Sequence, residues 1–420
     1  MKHYNRFAYI LLSLAACSSL YAPAAFAQAE IQELSDAILI RPDGRSVSLA
    51  ALAFAAYEQG IKARQAGQLD AALKHLNDAI RIYPNYAQAY YDRGNLYLQQ
   101  QAFDQAVADF SKVIALKPPK LLADAHNNRG FIYNEHLKQY AKALEDFTRA
   151  LQLRPGYARA YYNRGLAHDR LGKSEQALQD YSRTLELDPK YVDAYNNRGI
   201  IHLEAKKYPQ ALADFNKALS LKPDYPLAHY NLGLIASYQE KYTEALSHYN
   251  KAIELNPAYV EAYHNRGFIY NDILKDYDKA LADFNKALKL NPNYTNAYYN
   301  RGLSYYNQQK YNEAASDFSA VIANNPKDAD AYYYRGDSYY RLSEFDKAIA
   351  DFSQVVSLMP EDAWSHYWLA CLYALKQEPD KAVTALRKAI QYNPEFKTSA
   401  KEEPALVFLQ DLPAFKKLLQ

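Results

Sequence analysis

Side chains that could perform catalysis are scattered through this 420-residue sequence and are not gathered into a motif. Neither a G-x-S-x-G nucleophile motif nor an H-E-x-x-H zinc motif occurs. Gly172-Lys173-Ser174 matches the end of a phosphate-binding loop, but Ala167 stands where the earlier Gly would be needed, so we interpret the segment as a turn. Cys17 and Cys371, the only cysteines, cannot form a multi-cysteine zinc site. The sequence therefore predicts a protein without catalytic residues, metal or cofactor.

Asparagine recurs at a regular interval and could recognise a polypeptide backbone. Six residues follow one another at steps of 34 or 35 positions: Asn128, Asn163, Asn197, Asn231, Asn265 and Asn300. Asparagine is a poor residue for a helix interior, so helix propensity does not explain the series. Its amide carries a donor group and an acceptor, as a peptide unit does. Such a series could hold an extended chain by its backbone, or each Asn could bond to a neighbouring helix and orient it.

The elements that must position these residues are indicated by proline and glycine. Ten prolines follow one another at intervals of 34 to 37 residues, and each ends an apolar run where a helix must stop: Pro84, Pro118, Pro155, Pro189, Pro223, Pro257, Pro292, Pro326, Pro360 and Pro394. A glycine usually stands 24 residues before the proline. With that Gly as position 8 and the Pro as position 32, position 20 is always Ala. Each repeat is predicted to be two antiparallel helices, A and B, that approach closely at these small residues.

The spacing and signature residues resemble the tetratricopeptide repeat (TPR) over residues 53–396, as ten repeats. The resemblance implies an all-α fold, a right-handed superhelical solenoid of about ten TPR helical hairpins whose A helices line a concave groove. One hairpin cannot bury its own apolar face, so stacked neighbours must supply the core. Two similar segments, 128–140 and 265–277, each carry an extra residue, which indicates a duplicated block of four repeats or parallel drift in a turn.

In this family, positions 2, 5, 6, 9, 12 and 13 of helix A face the groove, and the Asn series occupies position 6. Aromatic residues also occupy groove positions. Tyr and Trp suit a binding surface because they combine a large contact area with a polar tip. The candidate peptide- or protein-binding residues are therefore the six Asn together with Tyr162, Tyr230, Tyr299, Tyr333, Trp364, Tyr367 and Trp368. The two Trp residues either hold a ligand or are covered by the C-terminal tail.

Charge in the predicted groove differs from the net charge of +2 of the whole chain. Eleven groove positions are acidic: Glu58, Asp92, Asp124, Glu135, Asp169, Asp193, Glu204, Glu261, Asp272, Asp330 and Asp337. Four are basic: Arg64, Arg159, Arg170 and Arg341. An acidic groove disfavours nucleic acid, and it also disfavours the family's basic clamp for carboxylates. We expect the partner to be a protein or extended peptide that is neutral or basic.

Arginine at position 7 and aspartate at position 23 occur together. Seven repeats have both, and repeats one, six and ten lack both. Paired loss within a repeat predicts an ion pair within that repeat: Arg93–Asp109, Arg129–Asp146, Arg164–Asp180, Arg198–Asp214, Arg266–Asp283, Arg301–Asp317 and Arg335–Asp351.

The ends of the chain differ from the repeats. Residues 1–27 combine a basic start, an apolar run and the small residues Ala25 and Ala27, which predicts an export signal cleaved after Ala27. Leu14-Ala15-Ala16-Cys17 also resembles a bacterial lipobox, so lipidation of Cys17, and with it membrane attachment, is the alternative. Residues 28–52 form an N-terminal segment with a turn signal at Arg41-Pro42-Asp43-Gly44. Residues 397–420 are predicted to cap the last repeat through Leu406, Phe408, Leu409, Phe415 and Leu418.

These features favour a non-catalytic, periplasmic or otherwise exported scaffold that binds an extended polypeptide or partner protein in the groove. The alternative is a glycan-binding component of envelope polysaccharide assembly or export, in which the groove aromatics stack on sugars. The sequence leaves the oligomeric state open.

Overall fold

The computed structural model describes residues 38–40 and 46–420 of the chain, with side chains from Ser48 onward. The predicted export signal, residues 1–27, and the alternative lipidation site Cys17 lie outside the described residues. The chain divides into two compact units, Met1–Ile201 and His202–Gln420. Each unit is described by itself.

In the first unit, a short antiparallel hairpin precedes the helices. Strand β1 (Ile38–Ile40) pairs with β2 (Ser46–Ser48), with Leu39 opposite Val47, and the two strands flank the predicted turn signal. The helices that follow are α1 (Leu49–Gln65), α2 (Leu69–Ile82), α3 (Ala87–Gln99), α4 (Phe103–Leu116), α5 (Leu122–Glu135), α6 (Tyr140–Leu153), α7 (Ala158–Arg170), α8 (Ser174–Leu187) and α9 (Val192–Glu204), the last of which contains the unit boundary.

The second unit continues with the same alternation. Its helices are α10 (Tyr208–Leu221), α11 (Pro226–Tyr238), α12 (Tyr242–Leu255), α13 (Val260–Phe268), α14 (Tyr277–Leu290), α15 (Thr295–Asn307), α16 (Tyr311–Asn324), α17 (Ala329–Arg341), α18 (Phe345–Leu358), α19 (Ala363–Leu375), α20 (Pro379–Tyr392), α21 (Phe396–Glu402) and α22 (Pro413–Leu419). A π-helical turn (Ile269–Ile273) follows α13, and a 3₁₀ helix (Pro404–Leu409) precedes α22.

The helices pack in consecutive pairs, which confirms the predicted all-α array of TPR hairpins. From α3 to α19 the A helices begin at position 1 of the predicted repeats, apart from α5, which begins one residue earlier. The position-20 alanines of all ten repeats are fully buried. Opposite them, a Cβ added to Gly233 would lie 2.7 Å from the ring of Tyr249, so this A helix can approach its B helix only with glycine at that position. Gly172 has φ of +72°, as expected for the turn inferred in place of a phosphate-binding loop.

The predicted Arg–Asp pairs link helix A to helix B within a repeat. In six repeats both carboxylate oxygens accept from the guanidinium, at 2.6–2.9 Å: Arg93–Asp109, Arg129–Asp146, Arg164–Asp180, Arg266–Asp283, Arg301–Asp317 and Arg335–Asp351. The aspartates are only 4–5% exposed. This bidentate geometry is the strong form of a charged hydrogen bond, and the prediction is confirmed for these pairs.

The extra residue of repeats three and seven widens the end of helix A. In repeat seven the Leu274 amide donates to Ile269, five residues back, within the π turn. In repeat three the Leu137 amide donates to Ile132 at the same 3.1 Å. Both repeats therefore absorb the insertion in the same way, before helix B begins.

The C-terminal residues cap the last repeat, as predicted, but with one difference. Leu406, Leu409 and Phe415 are buried in the cluster formed by α19 and α20. Phe408, predicted to belong to this apolar face, is instead 54% exposed. Residues 404–409 form a 3₁₀ helix with three residues per turn, so 406 and 409 share one side and 408 faces away from it.

Candidate interaction surface

We use the name A-helix face for positions 2, 5, 6, 9, 12 and 13 of the A helices within each unit. It carries every binding residue predicted from the sequence, so its exposure and hydrogen bonding decide which of them a partner could reach. Position 6 contributes the asparagine series, and position 5 contributes most of the tyrosines.

Five of the asparagines at position 6 bond to the preceding repeat of the same unit. The Nδ2 groups of Asn128, Asn197 and Asn265 donate to the hydroxyls of position-5 tyrosines, at 2.9–3.1 Å: Tyr91, Tyr162 and Tyr230. Asn163 donates to Asn127 at 3.0 Å, and the Nδ2 of Asn300 lies 2.8 Å from Nε2 of His264. Trp368 occupies position 6 of the last repeat, and its indole N–H donates to Tyr333 at 3.1 Å. In these repeats, one side chain at position 6 thus connects its A helix to the preceding one.

Burial distinguishes the two roles considered for these asparagines. Asn128, Asn163, Asn231 and Asn265 are at most 7% exposed, whereas Asn197 and Asn300 are partly exposed. A buried amide that is bonded to its neighbour cannot also pair with an incoming peptide. The structure therefore favours the second role, orientation of the stack, for Asn128, Asn163 and Asn265, which are buried and bonded to the preceding repeat.

The tyrosines at position 5 are covered to different degrees. Tyr230 is 1% exposed, with the ring of Tyr259 at 4.8 Å. Tyr367 is 4% exposed beneath Phe396, which stacks on it at 4.5 Å. Both cover rings come from position 34: Tyr259 lies immediately before α13, and Phe396 is the first residue of α21. The ligand-facing role expected of Tyr230 and Tyr367 is therefore wrong for the free chain. The candidates Tyr162, Tyr299 and Tyr333 remain partly exposed.

The two tryptophans also differ in how far they are exposed. Trp368 is partly buried against Tyr340 and Phe352. Trp364 is 54% exposed, although Phe396 of the tail meets its ring edge-on at 4.9 Å. The tail thus contacts Trp364 without covering it, and this side chain stays accessible.

Most basic side chains of the A-helix face already have an acidic partner. Arg170 lies 2.6 Å from Glu135, Arg64 lies 3.3 Å from Asp92, and Arg341 lies 3.5 Å from Asp337. Asp124 is held by both terminal nitrogens of Arg154, at 2.8 and 3.0 Å. On the A-helix face of the second unit, three acids have no basic side chain at ion-pair distance among residues 48–420: Glu261, Asp272 and Asp330. Burial raises the pKa of Glu261.

The residues that the structure describes hold no group of three or more His, Cys, Asp or Glu side chains arranged to bind a metal ion. No helix among them is long and apolar enough to cross a membrane.

Comparison with known families gives matches over most of the chain. Sequence models described as tetratricopeptide repeat match residues 57–120, 158–191, 192–225, 226–259, 248–282, 299–363 and 363–396. A model described as TPR repeat matches residues 137–172 and 273–309. Together they extend over residues 57–120 and 137–396.

Individual relatives match less of the chain. The mitochondrial import receptor subunit TOM70 of Rattus norvegicus is 32% identical over 88 residues, which are 20% of this chain and 14% of that protein, and the Homo sapiens protein is 31% identical over the same length. Among solved structures, YrrB, described as a TPR protein with an unusual peptide-binding site, is 25% identical, with 45% of this chain and 98% of that chain covered and a TM-score of 0.43. PilF of Pseudomonas aeruginosa is 22% identical, with 50% and 97% covered and a TM-score of 0.44.

Proposed function

The chain belongs to the tetratricopeptide repeat family, and on that premise we propose that it is a non-catalytic adaptor that binds an extended polypeptide along the A-helix face. Arrays of this family typically serve as scaffolds for protein–protein interaction. The proposal places the partner on the second unit, where the A-helix face is most aromatic.

The observation that carries the proposal is a run of accessible aromatic side chains in the last three repeats. Tyr299, Tyr333, Tyr334 and Trp368 are partly exposed, and Trp364 is 54% exposed. Tyr and Trp are favoured at protein interfaces because they bury a large area with few rotatable bonds and offer a polar tip. Three successive A helices carry them, as an extended chain running across the repeats would require.

A binding comparison tests the proposal. The immobilised chain is probed with an array of unrelated 12-residue peptides and, separately, with bacterial envelope polysaccharide. We expect retention of peptides, and retention at least several-fold weaker for the W364A/Y334A variant, because each lost aromatic contact removes buried area. F408A is the matched control, since Phe408 is also 54% exposed but lies in the C-terminal 3₁₀ helix.

The outcome separates the two function classes. If the W364A/Y334A variant binds peptides as tightly as the natural chain does, the A-helix face is not the binding surface. Retention of polysaccharide without peptide would replace the adaptor by the glycan-binding alternative, because aromatic rings can also stack on sugars.

We also propose that the protein acts after export, in the bacterial periplasm. The support is the sequence of residues 1–27, with its basic start, apolar run and small residues at Ala25 and Ala27. Mass spectrometry of the purified protein tests this: a chain that begins at Gln28 supports export, a lipidated Cys17 supports an envelope anchor, and an intact Met1 contradicts both.

A further inference from the structure

Repeats three and seven both carry an acidic residue at position 13 of helix A, but only one of the two carboxylates has a basic partner. In repeat three, Glu135 at position 13 accepts from Arg170 of the next A helix at 2.6 Å. In repeat seven, Asp272 occupies position 13, and Asn307 stands where repeat four has Arg170. Among the side chains of residues 48–420, Asp272 accepts only from that of its neighbour Asn271. Within the part of the chain that the structure describes, the carboxylate that has an arginine partner in repeat three therefore has no cationic partner in repeat seven.

The tyrosine bond between successive A helices is also interrupted at this place. Four other position-5 hydroxyls accept from position 6 of the following repeat, those of Tyr91, Tyr162, Tyr230 and Tyr333. After Tyr299, however, position 6 is Tyr334, and its ring meets Tyr299 edge-on, with centroids 6.2 Å apart. Neither hydroxyl has a hydrogen-bond partner among residues 46–420, so two phenol groups are left available on the A-helix face.

Further acidic groups surround the two rings. Asp330 is exposed and Asp272 partly exposed, and their charges add to burial in raising the pKa of both Tyr299 and Tyr334. Asp337 is only 5% exposed. One of its oxygens accepts from Tyr306, while Oδ1 accepts no hydrogen bond and has Arg341 Nε 3.5 Å away. A buried carboxylate oxygen without a hydrogen-bond donor is costly, and a guanidinium N–H that reached it would supply the missing donor.

We propose that Asp272, Tyr299, Asp330, Tyr334 and Asp337, here named the acid–tyrosine site, bind an arginine side chain of the extended polypeptide. The inference rests on the proposed function and adds the class of side chain that this surface selects. A guanidinium offers five N–H donors in a plane, which suits paired carboxylates, and its face stacks on tyrosine rings. A polypeptide is the occupant because the same face continues into the aromatic run of α17 and α19.

The array itself supplies a way to close the site without disturbing the fold. Asn307→Arg would place in repeat eight the guanidinium that Arg170 provides in repeat four. An internal arginine would then neutralise Asp272 and compete with the peptide. Asp272→Asn with Asp330→Asn removes the charge instead, and Glu361→Gln with Asp380→Asn removes the same charge from exposed positions outside the A-helix face.

The test measures fluorescence anisotropy of a labelled seven-residue peptide in which Arg alternates with Ala. A second peptide carries citrulline, which is neutral and of similar shape, in place of each Arg. We expect the full chain to bind the arginine peptide roughly tenfold or more tightly than the citrulline peptide, since a charged hydrogen bond contributes at least about 1.5 kcal/mol. D272N/D330N and N307R should each lose that preference, whereas E361Q/D380N should keep it.

The results that would contradict the inference are the following. Equal binding of both peptides, or a D272N/D330N variant that weakens binding no more than E361Q/D380N does, would overturn the acid–tyrosine site while leaving polypeptide binding in place. Failure to bind either peptide, combined with an empty 12-residue peptide array, would overturn the proposed function as well. Circular dichroism of every variant serves as the control that the helices remain folded.

Discussion

Position 6 of the A helices shows how one side chain can connect repeats without contacting a ligand. Asparagine there has a length that reaches the hydroxyl of the preceding position-5 tyrosine, as in Asn265 and Tyr230 at 2.9 Å. The sequence places both residues on one face, but periodicity does not report how far a side chain reaches into the next repeat. The ring that covers the tyrosine, Tyr259, comes from the segment before the next helix. Burial of this Asn–Tyr pair therefore depends on contacts between repeats, and the sequence of a single repeat does not reveal them.

The duplicated repeats provide a first prediction, which concerns a buried amide. Asn271 and Asn134 both occupy position 12, but Ser304 donates to Asn271 at 2.7 Å, whereas Asn134 Oδ1 has no partner and Ala167 stands where Ser304 would be. Ala167→Ser should raise the free energy of unfolding by about 1 kcal/mol by supplying the missing donor. Urea unfolding followed by circular dichroism measures it. Ser304→Ala should lower stability by about 1–3 kcal/mol, and a stabilising S304A would contradict the argument.

A second prediction concerns His264, which replaces tyrosine at position 5. Its Nε2 lies 2.8 Å from the Asn300 amide nitrogen, and burial lowers its pKa to about 4. Because the unfolded chain, with a pKa near 6.5, binds the proton more readily, stability should fall as the pH drops from about 6.5 towards 4. At pH 5 the folded state should have lost about 2 kcal/mol relative to pH 7 from this residue.

His264→Tyr is the control, because tyrosine occupies this position in seven repeats. The variant should lose about 2 kcal/mol less than the natural chain between pH 7 and pH 5, measured by urea unfolding at both values. The same loss in both proteins would assign the pH dependence to other groups, among them His229 and His248, whose pKa values burial also lowers.

At the scale of helices, most of the architecture could be predicted because proline, glycine and alanine recur in phase. Proline ends helix B, and small residues mark where two helices touch, so the A helices begin where the repeat numbering places them. The Arg–Asp pairs could be predicted because repeats one, six and ten lack both partners. Internal comparison of this kind works when one chain contains many copies of an element.

The elements that were not predicted are local departures from those periods. The π turn after Phe268 accommodates one extra residue, and a spacing of 35 instead of 34 does not say where the helix widens. The 3₁₀ helix at 404–409 has three residues per turn instead of 3.6, and this difference exposes Phe408. The strands at 38–40 and 46–48 are three residues each, too short for an alternating pattern to identify.

For the molecule as a whole, repeat proteins lead us to expect stability to be distributed along the array, because each hairpin mainly contacts its neighbours. Gly233→Ala tests this in the second unit. The new Cβ would lie 2.7 Å from the ring of Tyr249, which is 1% exposed and cannot move without displacing α12. We expect overpacking to cost about 1–3 kcal/mol in repeat six.

Hydrogen exchange should show where that loss appears. Exchange of backbone amides should accelerate most in α11 and α12, less in α13 and α14, and least in α19 and α20, because the strain must pass from hairpin to hairpin. Gly156→Ala is the control, since a Cβ there meets nothing within 4 Å, and it should change stability by less than about 0.5 kcal/mol. Equal acceleration from α11 to α20 would mean that the second unit unfolds as one cooperative body. A partner bound near α17 could then stabilise repeat six as strongly as the last repeats, whereas a graded response would confine its stabilising effect to the hairpins that it contacts and their neighbours.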